Sequence, residues 1–202
     1  MRFFPLFTDL QGASVLVVGG GEQAAQKVRL LLRTAARITL VAPQANDELA
    51  QLAREGRVEL AKRPFLESDL AGRRLVYVAT GDLAQDRAVS AAAQAGAIPV
   101  NVVDRPDLST FITPAIVDRA PVTVAIGTEG AAPILAREIK TRLEAWLPAN
   151  FGHLARHAQA LRDDMAKRFP ETRTRRRVWE RLLAGAFRRA AIESTIKGRA
   201  AT

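Results

Sequence analysis

Several groups of residues in this 202-residue chain have types and spacings suited to chemistry. Gly19, Gly21 and Ala24 fit the pattern G-x-G-x-x-G/A, the fingerprint of a turn that holds a dinucleotide. Gly19 would permit the tight turn and Gly21 the close approach of backbone to a pyrophosphate. Ala24 would let the following helix pack tightly on its strand, while the helix N-terminus offers free N–H groups to the phosphates. Asp104 follows the apolar stretch that ends in Asn101-Val-Val and precedes Arg105-Pro106. A carboxylate there could accept a proton as a hydride leaves a substrate, which is general-base work. Aspartate also forms turns by bonding its own backbone, and spacing alone does not choose between the two. His153 and His157 lie four apart and would share a helix face, the beginning of a metal site. No third strong ligand accompanies them, so structural or solvated histidines are expected. Arg173, Arg175, Arg176 and Arg177 crowd beside Trp179. Such a run suits nucleic-acid phosphates, a small polyanion, or simply a solvated helix face with Trp179, Leu182 and Leu183 turned inward.

The elements that must position these groups read as alternating strands and helices. Val15–Val18 is a continuous apolar run, as in a parallel strand covered on both faces. The helix after it spans about Gln23–Arg33, with Ala24, Val28, Leu31 and Leu32 inward. Strands follow at Arg37–Val41, Val58–Ala61, Leu75–Ala79 and Ile98–Val103, separated by helices at Asp47–Glu55 and, N-capped by Asp82, up to Ala95. This alternation predicts an α/β fold with a Rossmann-like doubly wound parallel sheet. Ligands of such sheets sit at the strands' carboxyl ends, here Gly19–Gln23, Pro43–Gln44, Thr80–Gly81 and Asn101–Asp104. The acidic residue that usually takes the ribose hydroxyls is missing after the second strand, where Pro43 and Gln44 stand. Beyond Asp104 the rhythm breaks. Short strands are expected at Ser109–Ile112 and Val122–Ile126, and helices from Pro133 to Leu147, over Phe151–Arg168 and over Arg175–Arg189, with a frayed end from Gly198.

Composition narrows the class. There is no cysteine, which excludes a disulfide framework and thiolate catalysis. No apolar run approaches the ~20 residues that span a bilayer, so a cytoplasmic protein without a membrane partner is expected. Residues 151–202 hold 13 Lys/Arg against 5 Asp/Glu, whereas residues 1–150 are nearly balanced at 17 against 16. The basic character of the tail asks for an anionic partner.

More specific segments run in order along nearly the whole chain. They are Phe4-Pro-Leu-Phe7, Val17-Val-Gly-Gly-Gly-Glu22 with Ala24 and Lys27, Leu30-Leu-Leu32, Ala79-Thr80 and Asn101-Val-Val-Asp104. Phe111-Ile-Thr-Pro114, Ile116-Val-Asp-Arg119, Pro133-Ile-Leu-Ala-Arg137 and Arg175-Arg-Arg-Val-Trp-Glu180 complete the set. In this combination the chain resembles the N-terminal module of siroheme synthase, the precorrin-2 dehydrogenase and sirohydrochlorin ferrochelatase family. The resemblance implies a Rossmann domain over residues 1–113, a small α+β dimerisation segment over 114–148 and a basic helical domain over 149–202. It places NAD, in preference to NADP, at Gly19, Gly21, Glu22, Gln23, Pro43, Gln44 and Thr80. It makes Asp104 the catalytic residue and Asn101, Phe111 and Arg137 candidates for binding substrate. The implied partners are a polycarboxylate tetrapyrrole, which matches the basic side chains without nucleic acid, and a second copy of the chain. That dimer is expected to bury Phe111, Ile112, Val124 and Ile126. Ferrous iron enters as a substrate. The methyltransferase part of the fused enzyme is not expected, since the sequence stops at Thr202. One departure is the loop Gly127-Thr-Glu-Gly-Ala-Ala132, where relatives often carry serine and glycine and Glu129 adds negative charge. Alternatives are dehydrogenation without iron insertion, or a Rossmann-type sensor whose tail binds nucleic acid.

Overall fold

A computed structural model describes residues 1–199, with side chains described as far as Gly185. The chain divides into two compact units, Met1–Thr113 and Pro114–Thr202.

The first unit is built on five parallel strands: β1 (Ser14–Val18), β2 (Arg37–Val41), β3 (Glu59–Ala61), β4 (Leu75–Val78) and β5 (Val100–Val102). Their order is β3-β2-β1-β4-β5, so the winding reverses between β1 and β4. Three helices connect them: α1 (Glu22–Leu31), α2 (Asp47–Arg54) and α3 (Leu83–Ala95). Successive β1 side chains enter opposite layers. Val15 and Val17 pack with Val28, Leu40, Leu49 and Tyr77, whereas Leu16 and Val18 pack with Val76, Val89, Val100 and Val102. Both faces are dry, which is why these strands read as unbroken apolar runs. Asn46 caps α2 through its side chain, accepting from the Leu49 N–H, and Asp82 caps α3 by accepting from Ala84 and Gln85. A short 3₁₀ turn at Glu67–Leu70, not expected from the sequence, is fixed by buried Asp69, which takes two bonds from Arg63 and one from the Leu66 N–H.

The segment expected as a strand at Ser109–Ile112 is not one. It runs along β5, which is an edge of the sheet, and bonds it largely through hydroxyls. Ser109 Oγ accepts the Val102 N–H at 2.9 Å and Thr110 Oγ1 accepts the Val100 N–H at 2.8 Å. The Thr110 N–H returns to the Val100 carbonyl at 2.8 Å. Serine and threonine side chains compete with backbone for such partners, which is why no regular ladder forms.

In the second unit the strands are β6 (Ala115–Arg119) and β7 (Val122–Ile126), an antiparallel pair. They are followed by α4 (Pro133–Trp146), α5 (Phe151–Ala160), α6 (Arg162–Arg168) and α7 (Thr172–Arg199). The Arg119 guanidinium donates to the Leu147 and Glu144 carbonyls, satisfying the orphan acceptors at the end of α4. Gly152 lies against the Ala120 carbonyl, which a Cβ there would overlap. Two helix expectations need correcting. The helix expected over 151–168 is interrupted at Leu161, and the last helix starts at Thr172 and reaches Arg199 because no proline stops it after Pro170. Gly198 and Arg199 are helical rather than frayed, and residues 200–202 lie outside those described. The described side chains bury few apolar residues here, Val117, Ala136 and Leu147.

Candidate functional site

The glycine turn links β1 to α1 at the point where the sheet's winding reverses. Gly19 has φ +124°, and a Cβ there would overlap the Ala79 carbonyl oxygen at the end of β4. Only glycine meets both conditions. Gly20 is equally confined on the other side, where a Cβ would overlap the Gln44 carbonyl and lie 3.0 Å from the Ala42 Cβ. The turn is thus wedged between the ends of β4 and β2. Gly21 differs from both. It is the N-cap of α1 with φ −89° and ψ −169°, ordinary extended backbone, and a Cβ on it would meet nothing within 4 Å. No protein contact requires glycine at 21. The space beside the first-turn N–H groups fits a dinucleotide pyrophosphate, which needs the side chain to be absent and the amides to be free.

Around the turn, Pro43 and Gln44 are exposed after β2. Thr80 follows β4, and its hydroxyl donates to the buried Asp86 carboxylate at 2.6 Å while its N–H reaches the same oxygen at 3.4 Å. Asp86, on α3, is therefore what sets the Thr80 backbone, a role not anticipated from the sequence. Glu22 is turned along its helix: Arg29 grips it at 2.6 Å and also binds Glu48. That guanidinium holds the Glu22 carboxyl below the usual carboxylate range. Any part Glu22 plays toward a cofactor is consequently left to its backbone.

Asp104 sits in the turn after β5 with φ +58°, a left-handed conformation that aspartate tolerates better than most side chains. The turn expected of it is present, closed by the Arg105 N–H on the Val102 carbonyl. Its carboxylate, however, accepts the Gln23 amide of α1 at 3.0 Å. The exposed carboxylate is in this way aimed from β5 toward the glycine turn. Nearby, the Arg105–Asp107 pair is closed on itself, holding the Asp107 carboxyl at about 2 through Arg105.

Lys27 and Tyr77, neither singled out by composition or spacing, complete the neighbourhood. The Lys27 ammonium lies 5.8 Å from the Tyr77 ring centroid. Burial pushes it below the usual lysine value, and the charge of Asp104 partly opposes that shift. Burial also raises the Tyr77 phenol, against a 3.5 Å hydrogen bond from Thr113. The signal for Lys27 was its i, i+4 spacing from Gln23, which puts both side chains over one face of α1.

The proposed substrate residues divide. Buried Asn101 donates its amide to the Phe111 carbonyl at 2.9 Å and so ties the segment after β5 to the sheet. Phe111 packs edge-on against Tyr77, centroids 5.4 Å apart. Arg137 belongs to the second unit, exposed on α4. His153 and His157 are both exposed on α5, and the described residues contain no group of three or more metal-ligating side chains. No described helix is long and apolar enough to cross a membrane.

Known proteins resemble this chain over most of its length. A family model described as "Putative NAD(P)-binding" matches residues 6–115, and one described as "Sirohaem synthase dimerisation region" matches residues 150–194. The latter match falls on α5–α7. A siroheme synthase of Pseudomonas entomophila is 49% identical over 185 residues, covering 92% of this chain and 40% of that protein. One from Methylococcus capsulatus is 46% identical over 200 residues, covering 99% of this chain and 41% of its own length. The chain thus spans about two fifths of these relatives. The solved structure titled "SirC, precorrin-2 dehydrogenase" superposes with a TM-score of 0.79 at 25% identity, covering 96% of this chain and 95% of that one. With an NAD-binding Rossmann unit, a sirohaem-synthase dimerisation region and this fold, the chain belongs to the family of siroheme synthase N-terminal modules and precorrin-2 dehydrogenases.

Proposed function

We propose that this chain oxidises precorrin-2 to sirohydrochlorin as a cytoplasmic homodimer, with NAD preferred over NADP, and that it inserts ferrous iron into the product. The observation that carries the reading is the Asp104 carboxylate, held by Gln23 one residue beyond the first turn position of the dinucleotide-binding helix. Bound NAD would supply the acceptor for the hydride. The chain's own residues do the rest. Gly21 and the α1 N-terminus seat the pyrophosphate, Asp86 fixes the Thr80 edge of the cofactor cleft, and Asp104 takes the proton that leaves with the hydride. Insertion of Fe²⁺ releases two pyrrole protons, and the same carboxylate would receive them in turn. The thin core of the second unit and the exposed Ile134, Leu135, Trp146, Leu182 and Leu183 support self-association.

One observation favours a narrower reading, dehydrogenation alone. Near the strand ends of the first unit the other acids are engaged: Glu22 with Arg29, Asp82 and Asp86 with α3 and Thr80, Asp107 with Arg105. Only Asp104 among these described acids is offered to a substrate, whereas chelation must remove two protons. Incubating the protein with precorrin-2 and NAD, with and without Fe²⁺, separates the readings. NADH formation with a metal-free product supports dehydrogenation alone, siroheme formation supports both steps, and no NADH refutes the proposal.

A further inference from the structure

Lys27 presents a half-buried charge to which the oxidation step assigns no part. It follows Gln23 by one helical turn, on the α1 face that looks toward Asp104. Its ammonium rests over Tyr77, whose ring is held in place by the Phe111 edge and the Thr113 hydroxyl. No carboxylate among the described residues lies within salt-bridge distance of it, and no described acceptor takes a hydrogen bond from it. Asp104 is close enough to act on it electrostatically without touching it. Its three N–H donors therefore face solvent rather than a protein acceptor. Partial desolvation of the charge costs free energy that a bound anion would offset, and methionine would fill the same space against Tyr77 without that cost.

Lys27 stands six positions after Gly21, about 9 Å along the helix axis at ~1.5 Å per residue, and its ammonium rests over Tyr77 rather than in the glycine turn. We propose that Lys27 is a specificity-determining residue: its ammonium receives one peripheral carboxylate of an anionic macrocyclic substrate and so orients the reacting carbon toward Asp104. This rests on the tetrapyrrole reading above and extends it to a named anchor.

The test uses the full chain with uroporphyrin, an octacarboxylate porphyrin, as a fluorescent binding probe, and precorrin-2 as substrate. Lys27→Met should weaken uroporphyrin binding and raise the KM for precorrin-2 by roughly ten- to a hundredfold, the loss of one charge-assisted hydrogen bond. Lys27→Arg should restore most of both. NAD affinity should be unchanged in each variant, and the melting temperature of Lys27→Met should not fall. Unaltered uroporphyrin affinity in Lys27→Met overturns the proposal, as does a parallel loss of NAD affinity or an arginine variant no better than methionine. Absence of uroporphyrin binding by the wild-type chain overturns it as well. The two layers separate cleanly. A wild-type chain that binds uroporphyrin through Lys27 but never oxidises precorrin-2 keeps the anchor and loses the dehydrogenase. A working dehydrogenase whose methionine variant keeps its KM does the reverse.

Discussion

Replacing Gly21 by aspartate should move stability and cofactor binding in opposite directions. Position 21 is the N-cap of α1, its backbone is extended, and a Cβ there meets nothing within 4 Å. Aspartate is a favoured N-cap and is better than glycine by a few tenths of a kcal/mol. Removing a glycine whose conformation other residues share adds ~0.4–1 kcal/mol by restricting the unfolded chain. The expected gain is about 0.5–1.5 kcal/mol, or ~1–5 °C in Tm for a chain of this size. For the cofactor the same side chain is damaging twice. It takes the amide N–H groups that would face the pyrophosphate, and it sets a negative charge beside two others. One such charge pair at ~4 Å near a protein surface opposes binding by about 4 kcal/mol, close to a thousandfold in Kd. Thermal unfolding by circular dichroism without cofactor, alongside NAD titration by calorimetry, measures both. Unchanged NAD affinity would refute the placement of the pyrophosphate, and a Tm lowered by several degrees would refute the account of the cap. Gly20→Ala is the control with the reverse sign: its Cβ overlaps the Gln44 carbonyl, so the fold itself should weaken.

Asp104→Asn keeps the left-handed turn and should leave stability unchanged while lowering the oxidation rate ~10²–10⁴-fold; full activity would remove Asp104 from the mechanism. Asp104→Ala should be as inactive and also lose about 1 kcal/mol of stability, because alanine disfavours φ +58°. Asp86→Ala deprives the Thr80 hydroxyl and N–H of their acceptor and should cost ~1–3 kcal/mol in urea unfolding, an intact midpoint showing the pair to be idle. Arg63, first through its hydrogen bonds, holds the Asp69 carboxyl below its usual value. The folded pKa is the lower one, so this contribution is complete above the unfolded value of ~3.9 and disappears as pH falls through the folded value. Asp69→Asn should accordingly flatten the acid limb of stability, and identical limbs in the two proteins would dismiss the effect. Sedimentation at micromolar concentration should give twice the 21.9 kDa chain mass, with a monomer contradicting the dimer.

The parts legible in the sequence are those where one local cause decides. The apolar runs of β1, β2 and β4 mark strands buried on both faces, and Asp82 before a helical stretch marks a cap that the structure contains. The turn at Gly19–Gly21 was equally visible, but the reasons differed from the pattern. Gly20, which the fingerprint leaves free, is held by its approach to Gln44, a contact that exists only after β2 has paired with β1. Ser109–Ile112 misled because hydroxyl residues beside apolar ones read like a strand, whereas their side chains take the ladder's place. Lys27 was visible as part of the family segment, but its environment was not. An ordinary helical lysine becomes unusual only when Tyr77, from a strand fifty residues later, arrives beneath it.

The hydroxyl-lined segment along β5 also bears on how the molecule behaves in a crowded solution. A parallel sheet ending in a bare strand invites any passing extended chain to add to it. Here the Val100 and Val102 amides are already occupied by Thr110 and Ser109, so that side of the sheet offers no template for a foreign strand. The closure requires no sixth strand. A nascent first unit shields this border as soon as residue 110 has been synthesised.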